Sequence, residues 1–132
     1  MTIKDNIRLG LLITEFRMRF PFLSIAFYDK PQNEGMSSHA ANRLSPEQLI
    51  GEVRQVRATG FFQLDEHQKT GDFERMFSDI YGLHVQTYRL YGERWVETWG
   101  TDNWTLGEQN HRGKLAANAK AEQIPKSFQS KL

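Results

Sequence analysis

Near its start the chain changes hydrophobic period once, at a proline. Leu9, Ile13, Phe16 and Phe20 recur at helical spacing, with Ile7, Leu11 and Leu12 widening the stripe. Pro21 ends that period, because it donates no backbone hydrogen bond and restricts the residue before it. From Phe22 to Tyr28 the chain then alternates, with Leu23, Ile25 and Phe27 on one side. A helix with a stripe to bury is therefore joined, at a proline, to a strand with a face to bury, and the two are expected to share a core. Phe22, Ala26 and Tyr28 leave the second side apolar too, so the strand is expected at the centre of its sheet.

The remaining elements follow from punctuation. Residues 29–44, with Pro31, Asn33, Gly35 and paired serines, read as a polar loop. Ser45-Pro46-Glu47-Gln48 is a helix start, with Ser45 capping, Pro46 in the first turn and Gln48 reaching back. Leu49, Ile50, Val53 and Val56 extend that helix as far as Arg57. Gly60 breaks it, and 61–64 reads as a short strand. Thr70 is expected to cap a third helix carrying Phe73, Met76, Phe77 and Ile80, closed by a left-handed Gly82. Segments 84–90 and 94–99 flank Tyr91-Gly92-Glu93 and predict a β-hairpin. Thr105-Leu106-Gly107-Glu108 opens a last helix that fades through Ala116 to Ala121.

The predicted order is α-β-α-β-α-β-β-α. Strand 61–64, helix 71–81 and strand 84–90 resemble a right-handed crossover, which would make those two strands parallel. The expected fold is α+β, a two-layer sandwich with a mixed three- to four-stranded sheet and helices on one face. Residues 1–120 form one domain in this reading, and 121–132 a polar basic tail. No internal repeat stands out.

Composition narrows the function classes. A chain of 132 residues has room for one domain, and nine Phe, four Tyr and three Trp supply its core. There is no cysteine, which excludes a disulfide framework, a thiol nucleophile and Cys-ligated metals. No apolar run approaches the roughly 18 residues of a membrane span. Asp5, Arg8 and Glu15 interrupt what an export signal would need as an apolar stretch, so a cytoplasmic location is expected. Asn103-Trp104-Thr105 fits the glycosylation pattern, which has meaning only in a secreted chain.

The formal charge is +1, with no global pull towards polyanions. Locally, Arg112, Lys114, Lys120, Lys126 and Lys131 face only Glu122 over 112–132. An acidic stretch over 65–80 carries Asp65, Glu66, Asp72, Glu74 and Asp79 against Lys69 and Arg75. His39, His67, His84 and His111 share no metal-ligand spacing, and Asp65-Glu66-His67 supplies too few ligands. No nucleophile elbow, P-loop or dinucleotide fingerprint is present. A non-enzymatic protein without metal or cofactor is the expectation.

Trp95, Trp99 and Trp104 form the densest chemical signal. Alternation along the second hairpin strand puts Trp95, Glu97 and Trp99 on one side and Arg94, Val96 and Thr98 on the other. Left bare, such a face is a stacking platform; covered, it is core. Glu97 and Asp102 are a conceivable acid/base pair, but Asp102 and Asn103 are better placed to satisfy backbone donors before Thr105. Two functions follow. The first is a protein-interaction module that self-associates as a homodimer, or binds another protein, through the Trp-rich hairpin region. The alternative is single-stranded nucleic-acid binding through the aromatic and basic hairpin (Tyr88, Arg89, Tyr91, Arg94, Trp95) and the basic C-terminal segment, against repulsion from Glu93, Glu97 and Asp102. The candidate binding residues are Trp95, Trp99, Trp104, Arg94, Tyr88 and Tyr91.

Over 70–113 the chain carries Thr70-Gly71-Asp72-Phe73-Glu74, Phe77, Tyr81-Gly82-Leu83 and Val85. It continues with Thr101-Asp102-Asn103-Trp104-Thr105-Leu106 and Glu108-Gln109-Asn110. With the Phe-Pro-Phe-Leu run at 20–23, this resembles a group of small, functionally uncharacterised bacterial domains. The resemblance implies an α+β fold and brings no activity with it. That pattern has an aliphatic residue where this chain has Thr87.

Overall fold

A computed structural model describes residues 1–31, 42–54 and 58–123, with side chains to Ala119. The strands are β1 (Thr2–Ile3), β2 (Leu23–Tyr28), β3 (Gly60–Phe61), β4 (His84–Tyr91) and β5 (Arg94–Glu97). The helices are α1 (Leu9–Arg19), α2 (Ile50–Val53), α3 (Thr70–Tyr81) and α4 (Leu106–Gln123), with a 3-10 turn at Trp99–Thr101. The fold is α+β, and the expected element order is present with β1 and the 3-10 turn added. The tail beyond Gln123, most of the loop after Pro31 and positions 55–57 lie outside the described residues.

The sheet differs from expectation. β2, β4 and β5 form an antiparallel sheet in that order, and β1 pairs with β3 in a separate antiparallel ribbon. The parallel crossover into β4 is therefore absent. β3 is two residues long and is held by the chain's first residues: Phe62 N–H donates to the Met1 carbonyl at 2.7 Å. Gly82, at φ 64°, then returns α3 directly into β4. The centre of the sheet is β4, not β2. The outer edge of β2 is overlaid by a short segment, Leu44 N–H donating to Phe27 O at 2.8 Å and Asp29 N–H to Asn42 O at 2.9 Å. That overlay lets an edge strand bury Ala26 and Tyr28 on its second side.

One core joins all the layers. Leu23, Ile25, Phe27 and Val85, from one side of the sheet, meet Leu9, Leu12 and Phe16 of α1, Phe73 and Phe77 of α3, and Leu106 at the start of α4. The helices thus occupy one face, and a cluster of phenylalanine rings fills the space between (Phe16, Phe62, Phe73 and Phe77, with centroids 5.0–6.1 Å apart).

Helix starts show a device that the sequence reading does not contain. The first turn of a helix leaves backbone N–H groups without intrahelical acceptors. Here α1 and α2 supply each other's acceptors: Leu9 and Gly10 donate to Gln48 O and Pro46 O, while Ile50 and Gly51 donate to Ile7 O and Asp5 O, at 2.8–3.1 Å. α3 and α4 repeat the arrangement, with Thr70 and Gly71 on Trp104 O and Asp102 O, and Leu106 and Gly107 on Gln68 O and Glu66 O, all at 2.9 Å. Two expected caps change accordingly. The Thr70 hydroxyl donates to Trp104 O at 2.8 Å, across to the partner motif, rather than capping α3. Gln48 Oε1 does reach back to accept from Ser45 N–H at 2.9 Å, but Ser45 Oγ accepts from Glu47 N–H at 3.2 Å rather than from Gln48; these bonds fold a turn, and the helix begins only at Ile50.

The clamp needs glycine where the chains touch. A Cβ on Gly51 would lie 2.7 Å from Asp5 Cβ. Asp5 cannot swing aside, because its carboxylate accepts from Arg54 Nε and Nη2 at 3.1 and 2.8 Å, and Arg54 is buried. Gly51→Ala is therefore expected to destabilise the fold by about 1–3 kcal/mol, the range for overpacking a fixed contact. Urea unfolding measures it, and a variant as stable as the parent would refute the close approach.

Candidate functional site

The hairpin turns on Gly92, at φ 65°, and Glu93. Its register places Leu90 opposite Trp95, Tyr88 opposite Glu97, and Ser24 opposite Tyr88. By alternation these residues share the sheet face opposite the one that packs on the phenylalanine core. Trp95 is 40% exposed there and Tyr88 half-buried.

Two arginines from other elements complete this face. The Arg17 guanidinium of α1 lies over the Trp95 ring, 5.3 Å from its centroid, and Arg43 over Tyr88 at 5.9 Å. The Tyr88 hydroxyl is hydrogen-bonded to that of Tyr28. Ile13, Arg17, Ser24, Arg43, Tyr88 and Trp95 border a groove of about 400 Å³. Among the described residues neither arginine is in an ion pair. The groove is cationic at its rim and aromatic at its floor.

The other predicted binding residues lie elsewhere. Tyr91 and Arg94 line a depression beside Ala116 and Ala119 of α4. Trp104 lies between Arg89 and Arg112, at 5.1 and 5.4 Å, by the start of α4. Trp99, 44% exposed, sits on the 3-10 turn and lines a cleft with Lys69, Asp72, Arg75 and Asp102. Of six candidates, the groove joins only Tyr88 and Trp95. Sequence reasoning missed Ser24, Arg17 and Arg43. Ser24 was legible, as the polar break in the second side of β2; the arginines belong to segments far from the hairpin.

Beneath the hairpin's far end lies a polar cluster. Thr98 Oγ1 donates to Thr87 O at 3.0 Å, and Gln109 Nε2 donates to Thr101 O and Oγ1 at 2.9 and 2.8 Å. Thr87 itself is fully buried on the core side, opposite Ile25. Its N–H donates to Glu74 Oε2 at 2.7 Å. Burial pushes the Glu74 carboxyl up to about 8, with the nearby Asp102 charge adding to the effect. His84 is lowered by burial, opposed by Asp29. Glu97 is not among the residues lining the cleft that Asp102 lines.

Among the described residues no group of three or more histidines and carboxylates is placed so that it could hold a metal ion, and none of their helices is long and apolar enough to cross a membrane. Compared with family models, curated proteins and solved structures, the chain has no match.

Proposed function

We propose that the protein is a non-enzymatic recognition module that binds single-stranded nucleic acid in the groove beside Trp95 and Tyr88. The observation that carries this is the pairing of two guanidiniums, Arg17 and Arg43, with two aromatic rings, Trp95 and Tyr88, around one groove. Bases stack on exposed rings and phosphates attract arginines, so a flexible polyanion with flat faces complements this surface. The residues differ from those expected of the hairpin alone: Arg17 and Arg43 take the phosphate role first given to Arg89 and Arg94.

Self-association uses the same face less well. A second copy related by symmetry would bring the same two guanidiniums against the first pair, in a site that offers them no carboxylate among its lining residues.

Fluorescence anisotropy with a labelled oligodeoxythymidine tests the proposal. With two phosphates engaged, the logarithm of the binding constant falls with the logarithm of salt at a slope of about −1.4. Arg17→Ala and Arg43→Ala each reduce that slope by about 0.7. Trp95→Ala weakens binding by about 1–3 kcal/mol. Binding indifferent to salt and to Trp95 overturns the proposal. A light-scattering mass above 15.4 kDa that returns to it on Trp95→Ala replaces it with self-association.

A further inference from the structure

The 3-10 turn presents Trp99 in a second cleft, separate from the groove. The turn is held from below: Thr101 N–H donates to Thr98 O at 2.9 Å, Thr98 to Thr87 O, and Gln109 to both oxygens of Thr101. Gln109 is in turn fixed by Arg89 Nη1 on its Oε1 at 2.7 Å. The backbone that carries the indole is thus already ordered, and binding there loses little further backbone freedom.

The cleft is about 430 Å³, and its opposite wall is the first turns of α3. Lys69 and Arg75 bring two positive charges, Asp72 and Asp102 two negative ones, and Asn103 an amide. Arg75 is already bonded to Asp72. The lining is thus dense in donors and acceptors yet balanced in charge. Nothing in it selects an anion, a cation or an acyl chain. Beside the ring, Gly100 leaves open space, since a Cβ there would meet no atom within 4 Å.

One flat apolar ring beside charged and amide groups of both polarities, without net charge, matches a neutral polyol. A hexopyranose has one face of C–H groups, which packs on an aromatic ring, and an equatorial rim of hydroxyls that both donate and accept. We infer that this cleft is a carbohydrate-binding subsite, with Trp99 as the platform and Asp72, Arg75, Asp102 and Asn103 as hydroxyl partners. It does not depend on the nucleic-acid reading, which uses different residues on a different face.

Heteronuclear NMR of the full chain separates the three indole N–H resonances, assigned through single Trp→Phe variants. Glucose, galactose, N-acetylglucosamine and cellobiose are the probes, titrated into the millimolar range. At least one is expected to shift the Trp99 resonance saturably and to leave those of Trp95 and Trp104 in place. Trp99→Ala should weaken that sugar about tenfold or more, and Trp99→Tyr less. Asn103→Ala should weaken it with the fold unchanged by circular dichroism. Saturable shifts confined to Trp95 or Trp104, no response to any of the four sugars, or affinity surviving Trp99→Ala would each overturn the assignment.

Discussion

Phe73→Ala is expected to cost about 3–5 kcal/mol of folding stability, among the largest single losses in the chain. Phe73 is fully buried, and its ring meets Phe16, Phe62 and Phe77 at centroid separations of 5.3, 6.1 and 5.0 Å. Those neighbours come from α1, from the segment after β3 and from α3 itself, so truncation opens a void where three parts of the fold meet. None can collapse into it cheaply. Phe16 is tied to α1 and its clamp, while Phe77 also packs edge-on to Phe27 of β2. A domain of this size has a net stability of about 5–15 kcal/mol, so the variant should be marginal. Urea unfolding should show the midpoint fall by about 2 M with its slope retained. A loss below about 1 kcal/mol would mean that the ring cluster is not the centre of the core.

The features legible in the sequence are those whose cause is local. Pro21 ends α1, Gly82 closes α3, Gly92 turns the hairpin, and Thr105 caps α4 by accepting from Glu108 N–H at 3.1 Å. Each needs only neighbours in the chain. Thr70 shows the limit. It has the residue type and position of a cap, yet its hydroxyl serves Trp104 O, because another helix start runs alongside. The clamps are hidden for the same reason: their acceptors are backbone carbonyls tens of residues away, and carbonyls leave no trace in residue type. A glycine at the second helical position is the one recurring mark, at Gly10, Gly51, Gly71 and Gly107. The β1–β3 ribbon is too short to show alternation, so residue pattern alone places β3 as a crossover strand. Trp95 and Tyr88 could be put on one face by counting alternate positions. Arg17 and Arg43 could not, since only the packing of α1 and of the segment beside β2 brings them over those rings.

The second large effect is one of pH, and its sign is opposite to that of an ordinary paired carboxylate. Glu74 projects from α3 to the end of β5, where Thr87 N–H, which finds no strand partner there, donates to it. Burial, with the Asp102 charge adding to it and with Thr87 and Arg75 opposing it, raises the folded-state carboxyl from 4.5 to about 8 in all. The folded chain therefore keeps a proton that the unfolded chain has released at every pH between those values. Stability from this group is fully present below pH 4.5 and falls as pH rises, levelling off once the folded carboxyl has also ionised. The integrated loss is at most about 5 kcal/mol, taking about 1.4 kcal/mol per pH unit. Glu74→Gln keeps an oxygen to accept from Thr87 and removes the ionisation. Urea midpoints measured from about pH 5 to about pH 9 should thus diverge, the parent weakening with pH and the glutamine variant holding nearly level. Curves that run parallel across that range would show that the Glu74 carboxyl is not desolvated, and that α3 does not dock on the sheet through a protonated side chain.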